Sequence, residues 1–401
     1  MQSRRSRSTH DGTVTAPHLR ATRHHAETQR VPSAHPSVPQ PRVTIFLEQF
    51  TGHRLWYVRL LCDALVATQR HVSVHLPEAA RTHPALREHL FGLPDDQVSV
   101  DFYSSTAHRH LHSILRREGE VVLPDADKHL AQVVGSQVVA RLVGSIDRGR
   151  RPGRVRLLLL RHTPGTTARS RLVFRAKVAL AAVCARTLPT VTVGTLVMDA
   201  AAEPQGPVVP VVDPTVFRCG PGDTRESARA ALSLPADETF VAIAGAITER
   251  KNYRSALGGV LRSRGSIRLL LVGQLDDTAR AFIASLDAPA RSAVLLRDEY
   301  VSDADLDRYI LASDAVLALY ANTGSSGIVL KAAAAGTPVV GSAGNREVEA
   351  FLTRHGAGVI APSLSSHDVC TAIADALAAP PRPARAVDSG PAFARQLLGV
   401  R

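Results

Sequence analysis

Ser325, Ser326 and Gly327 stand where a short apolar run, Ala315 to Leu319, gives way to an Ala-rich segment that Gly336 and Pro338 end. The pattern is strand, turn, helix. A turn of Gly and hydroxyl residues at a helix start offers backbone N–H groups with no helical partner and the positive end of the helix dipole, which together hold a phosphate. The same residues also cap ordinary core helices, so turn chemistry alone leaves both readings open. A second concentration of positive charge, Arg250 and Lys251 in GAITERKNY (245 to 253), follows another apolar run. Lysine occurs only at positions 128, 177, 251 and 331 in a chain that otherwise uses arginine, so Lys251 in a loop is informative.

These groups need a frame, and alternating apolar runs and helical spacings supply it. VTIFLEQ (43 to 49) is the first strand, and Leu55, Val58, Leu61 and Leu65 follow at helical spacing. HVSVHL, QVSVDF, GEVVLP, VRLLLL and TVTVG continue the strands as far as residue 194, with a helix after each of the first four, including one over 78 to 90 and a long one from 127 to 146. The Pro-rich PQGPVVPVVDP (204 to 214) then divides the pattern. FVAIAG, IRLLLVG, AVLLR, AVLAL, PVVGS and AGVIA form a second series. Such alternation predicts an α/β chain of two doubly wound, Rossmann-like domains facing each other across a cleft, with ligands at the carboxyl ends of the strands. The expected divisions are a disordered basic tail (1 to 42), a first domain (43 to 205), a linker (206 to 216), a second domain (217 to 390) and a C-terminal segment (391 to 401).

Composition narrows the function classes. The 401 residues suffice for two cores, and no apolar run reaches the length of a membrane span or resembles a signal peptide, which predicts a cytoplasmic protein. Cys62, Cys184, Cys219 and Cys370 form no CxxC pair, which argues against a disulfide framework or a zinc site. The net charge of +12 is carried mostly by arginine and comes without an aromatic RNA-binding stretch or a basic zipper, so no nucleic-acid partner is expected. Residues 1 to 42 hold SRRSRS and five prolines and few large apolar groups. A tail of this kind also resembles an organellar transit peptide, and it can touch an anionic membrane surface.

Several motifs, in order, resemble the retaining GT-B glycosyltransferases that use nucleotide sugars, the large group 1 or family 4 type. GAITERKNY looks like the family's glycine-to-lysine loop after the first donor-domain strand, LLLVG (269 to 273) like its second strand, and YVSDADLDRYILASDAVLALY (300 to 320) like the helix leading to a buried strand. SSGIVLKAAAAGTPVVGS (325 to 342) is similar to its phosphate and ribose segment. The resemblance covers residues 213 to 390. It implies that Arg250 and Lys251, with the N–H groups of Ser325, Ser326 and Gly327, stabilise a leaving diphosphate. It also gives Gly245, Thr323 and Lys331 to the nucleotide.

The chain departs from the family pattern at three points. Ala246 stands where an Arg often follows the loop glycine. Thr323 and Lys331 occupy the places of two acids separated by seven residues, and a lysine cannot accept hydrogen bonds from ribose hydroxyls as a carboxylate does. In the first domain, Gly52 matches a glycine that approaches the donor phosphate, while His53, Asp127 and His162 sit at strand ends facing the cleft as candidates for contact with sugar or acceptor. Asp303, Asp305 and Asp307 favour a helix dipole rather than a metal, so metal-independent transfer is expected, with no cofactor beyond the nucleotide sugar. The resemblance thus implies sugar transfer to a hydroxyl acceptor. A degenerate binder of nucleotide sugar or of a partner, and an epimerase on the same fold, are the alternatives.

Overall fold

The computed structural model describes residues 42–51, 53–117, 119–146, 153–160, 168–199, 208–220, 222–263, 267–320, 324–380, 382–384 and 387–399. The first series of apolar runs folds as β1 (Val43–Phe46), α1 (Arg54–Ala67), β2 (Val72–Pro77), α2 (Pro84–Leu90), β3 (Val98–Tyr103), α3 (Ala107–Leu115), β4 (Glu120–Leu123), α4 (Leu130–Ile146), β5 (Arg154–Leu159), α5 (Ala168–Thr187), β6 (Val191–Val197) and β7 (Val209–Val212). Its sheet is wholly parallel in the order β3-β2-β1-β4-β5-β6-β7. The expected helix over 78 to 90 is broken, because Pro84 takes the first turn of α2 and leaves only a 3-10 turn at Glu78–Ala80.

The second series follows β8 (Val216–Phe217) and α6 (Arg225–Ala231). It comprises β9 (Thr239–Ala244), α7 (Tyr253–Arg262), β10 (Ile267–Val272), α8 (Asp277–Ala284), α9 (Ala288–Ser292), β11 (Val294–Arg297), α10 (Asp303–Ala312), β12 (Ala315–Ala318), α11 (Gly327–Ala335), β13 (Val339–Ser342), α12 (Arg346–His355), β14 (Gly358–Ala361) and α13 (Ser366–Leu377). Its strands are parallel in the order β11-β10-β9-β12-β13-β14, so strand order reverses at β9 and β12 as it does at β1 and β4 in the first sheet. Ligand crevices form at such reversals. The chain ends with β15 (Val387–Asp388) and α14 (Gly390–Leu398).

Two expectations about boundaries change. The Pro-rich stretch is not all linker, since Val209–Val212 pairs with β6 as an edge strand, where Pro210 is tolerated. The C-terminal segment returns to the first domain: Phe393, Ala394, Leu397 and Leu398 of α14 join Tyr57, Leu61 and Leu65 of α1 in one core, while β15 pairs antiparallel with β8. Each buried Leu or Phe there contributes about 1.5–3 kcal/mol. Among the described residues, no helix is long and apolar enough to cross a membrane.

Candidate active site

A cavity of about 330 Å³ lies where the carboxyl ends of the two sheets meet. The first domain lines it with Thr51, His53 and Arg54 after β1 and with Leu160 after β5, and the second with Gly245, Arg250 and Lys251 after β9 and Gly324 to Ile328 after β12.

α11 starts at Gly327 and stops at Gly336, whose left-handed backbone (φ +72°) ends the helix. Ser326 caps the start. Its hydroxyl accepts from the Val329 N–H at 3.4 Å and donates to the Tyr320 hydroxyl at 3.0 Å, so that side chain is engaged within the protein. What this turn offers a ligand is the backbone N–H set of the helix start. Gly327 is needed here for space: a Cβ at that position would stand 3.0 Å from His53 Nε2, so the histidine of one domain rests against the helix start of the other.

The Arg250–Lys251 loop is shaped by two residues with positive φ, Gly245 at +82° and Asn252 at +50°. Asparagine tolerates this conformation better than most residues, and Asn252 is held by donating to the Leu319 carbonyl at 2.6 Å. The turn directs Lys251 back under the strand, where it is 4% exposed and donates to the Ala244 carbonyl. Burial, with help from the Arg250 charge, lowers its pKa to about 7. Burial likewise lowers His53 to about 4, so its ring is neutral at physiological pH.

Other expected residues have different settings. Arg54 is fixed by Asp125 at 2.5 Å and donates to the Thr51 carbonyl at 2.9 Å. Asp127 does not line the cavity; it pairs with Lys177 of α5 and ties that helix to the end of β4. Lys331 departs furthest from expectation. It does not line the cavity either, but turns inward to a buried ion pair with Asp307 and donates to the Val216 carbonyl at 2.8 Å. Asp307 is fully buried and also accepts from the Arg218 N–H at 2.9 Å, so it is a partner for Lys331 and not a surface acid serving the helix dipole. Gly52, His162 and Thr323 lie outside the described residues.

The sequence of folds and motifs has counterparts in known proteins. Residues 224–392 match the sequence model described as Glycosyl transferases group 1. Sucrose-phosphate synthase from Thermosynechococcus elongatus superposes with TM-score 0.58 at 16% identity, covering 90% of this chain and 95% of that one. HepE of Anabaena, in complex with UDP-glucose, gives 0.58 at 14% identity over 89% and 95% of the two chains. A glycosyltransferase from Rickettsia africae gives 0.58 at 9% identity over 90% and 94%. Residues 224–392 belong to a group 1 glycosyl transferase domain, and the chain has the GT-B fold. No curated protein matches it in sequence. At these identities the solved structures share its fold, and the family match identifies the C-terminal half as the group 1 domain.

Within this GT-B fold the cavity contains acids that the motifs did not assign to it. Asp213, in the crossing after β7, receives the Tyr57 hydroxyl at 3.3 Å and a hydrogen bond from Ser325; burial raises its pKa to about 6. Asp303 opens α10, and although burial pushes its pKa up, Lys331, His53, His89 and Arg218 together lower it, so it stays ionised. Among the described residues, Glu88, His89 and Asp303 have ligand atoms within 4.8 Å of one another. Glu88, however, already accepts from the Tyr300 hydroxyl and, at 2.9 Å, from the Asp303 N–H, which makes the group an interdomain latch. Asp303 carried a sequence signal only as the first acid of a helix; its contacts with the other domain are tertiary.

Proposed function

We propose that the protein moves a sugar from a UDP- or GDP-type donor to a hydroxyl acceptor with retention of the anomeric configuration. The observation that carries this reading is the convergence on one cavity of the α11 start with Arg250 and Lys251. As the bond from the anomeric carbon to phosphate breaks, negative charge grows on the diphosphate, and fixed N–H dipoles and cations nearby stabilise it. These groups supply the positive charge that a divalent metal would otherwise bring, so transfer is metal-independent and uses no cofactor beyond the donor. The acceptor oxygen bonds to the same face of the anomeric carbon while its proton passes to the departing phosphate oxygen. HepE, whose solved structure holds UDP-glucose, supports the donor class.

His53, neutral and set against Gly327, can hydrogen-bond the sugar or the phosphate without adding charge. Asp303, ionised and facing the same cavity, can accept from donor hydroxyls, the task that Lys331 is unable to perform. The protein acts in the cytoplasm without a nucleic-acid partner, and contact of its basic N-terminal segment with anionic lipid belongs to the same reading.

A second reading, a protein that binds nucleotide sugar without turnover, draws on the Lys331–Asp307 pair, which replaces an acid of the family with an inward-facing cation. Thermal-shift screening of nucleotide sugars, followed by a donor-hydrolysis assay, separates the two. Stabilisation by one intact donor together with slow release of its sugar supports transfer. Stabilisation without turnover in any acceptor mixture supports the binder, and no stabilisation by any donor rejects both.

A further inference from the structure

We propose that the outer face of α4 and α5 is a docking surface for an anionic lipid bilayer. Ten large apolar side chains stand exposed among the described residues, and six of them, Val138, Val139, Leu142, Leu172, Val173 and Val183, are on these two helices. The rest are scattered singly, which is ordinary for a surface; six together are not.

Helical spacing arranges them. On α5, Leu172, Ala176, Ala179 and Val183 fall at i, i+4, i+7 and i+11, a single stripe, and all four are exposed. On α4, Ala131, Gly135, Val138 and Leu142 repeat the same spacing, also exposed. The helices are neighbours, joined where Arg141 of α4 donates to the Thr187 carbonyl of α5. Two apolar stripes on adjoining helices offer a broad surface suited to a flat partner.

Charge selects the partner. Neither helix contains an Asp or a Glu. Exposed Arg169, Arg175 and Arg186 flank the α5 stripe, each within about 70° of its centre at 100° per residue. Lys177 is turned to Asp127 and takes no part. A second copy docked face to face would bring arginines against arginines with no acid on either helix to meet them. Apolar groups inserted at the acyl boundary beneath a layer of anionic headgroups satisfy both features. α5 also starts from the cavity side of the first domain, eight residues after Leu160, so docking would set the mouth of the cleft beside the membrane.

The test uses the full chain and co-sedimentation with vesicles of equal parts phosphatidylglycerol and phosphatidylcholine, against phosphatidylcholine alone, without donor, so it reads docking independently of sugar transfer. The expected result is salt-sensitive binding to the anionic vesicles that falls roughly fivefold for each arginine neutralised in Arg169→Gln and Arg175→Gln. Leu172→Glu with Val183→Glu should lower it further, whereas Leu261→Glu, an exposed leucine on α7, should leave it unchanged. Circular dichroism establishes that each variant is folded; the two arginine changes alter only exposed groups and keep the test sound if the glutamates disturb α5. Absence of binding to anionic vesicles overturns the proposal. So does binding that survives all the α5 changes, which would assign it to residues 1–41, or a concentration-dependent dimer that Leu172→Glu abolishes.

Discussion

Lys251 and Lys331 are both 4% exposed, both lie in the second domain, and both were read from the sequence as groups for the nucleotide, yet their surroundings give them opposite jobs. Lys331 has a buried carboxylate, Asp307, and a backbone carbonyl as partners, so its charge is spent inside the protein. Among the described residues Lys251 has no acid beside it; it donates to the Ala244 carbonyl, and burial brings its pKa down to about 7. A buried cation with a counter-ion is structural. One without it is poised for an anion from outside.

The comparison breaks most visibly in stability. Lys331→Met should cost about 3–5 kcal/mol, because it leaves the Asp307 carboxylate buried without its cation. Adding Asp307→Leu to that variant should recover most of the loss, and urea unfolding of the two single variants and the double would measure the coupling. If Lys331→Met is as stable as wild type, the pair is not the structural element described.

Lys251→Met should behave in the opposite way. It removes a charge that folding desolvates without a counter-ion, so stability should hold or rise, while donor kcat/KM or affinity falls roughly 10- to 100-fold through loss of charge at the diphosphate. Kinetics and thermal melts on one preparation would give both numbers. A variant with wild-type donor binding would remove Lys251 from the site.

A pH dependence sharpens the contrast. With the pKa of Lys251 depressed from 10.5 to about 7, the unfolded chain binds more protons than the folded one between those values, so this residue's contribution to stability rises with pH from about 7 to 10.5 and is at its least favourable below about 7. Donor binding has the reverse slope: a diphosphate favours the charged amine, binding takes up a proton, and affinity weakens as pH rises above about 7. Calorimetry in two buffers of different ionisation enthalpy would detect the uptake, and Lys251→Met should abolish it.

The smallest effect belongs to Gly327→Ala. Its Cβ would meet His53 at 3.0 Å, and a shift of the ring should raise donor KM by only a few-fold. In a His53→Ala background the same change should be nearly silent.

Most of the frame was legible because buried parallel strands read as continuous apolar runs, so β9 to β14 emerge from FVAIAG, IRLLLVG and their successors. β7 was hidden by its proline, Pro210, which an edge strand permits and a central strand does not. The return of α14 to the first domain could not be read at all, since an amphipathic helix does not say which sheet it covers. At the site, Lys251 and the Ser325–Gly327 turn stood out through residue type and spacing, and both line the cavity. The role of Asp307 had a signal that went unused: it lies three and four residues before Ile310 and Leu311, on the apolar side of its own helix. An acid on such a face needs a buried partner. Asp213 and Asp303 act through the meeting of two domains, which local pattern does not encode.

That return of the chain also has a mechanical consequence. The polypeptide passes between the domains twice, outward through Asp213 to β8 and back through β15 to α14, and the two passages are stitched side by side by β8–β15 pairing and by the Ser389 hydroxyl, which receives the Thr215 N–H at 2.7 Å and donates to the Asp213 carbonyl at 3.0 Å. A paired double tether resists twisting and shear while leaving a bend across it compliant. A bend between the domains would therefore be softer than a twist, and Asp213, whose carboxylate reaches Tyr57 and Ser325, lies at the crossing where such a bend would be transmitted to the Ser325 turn.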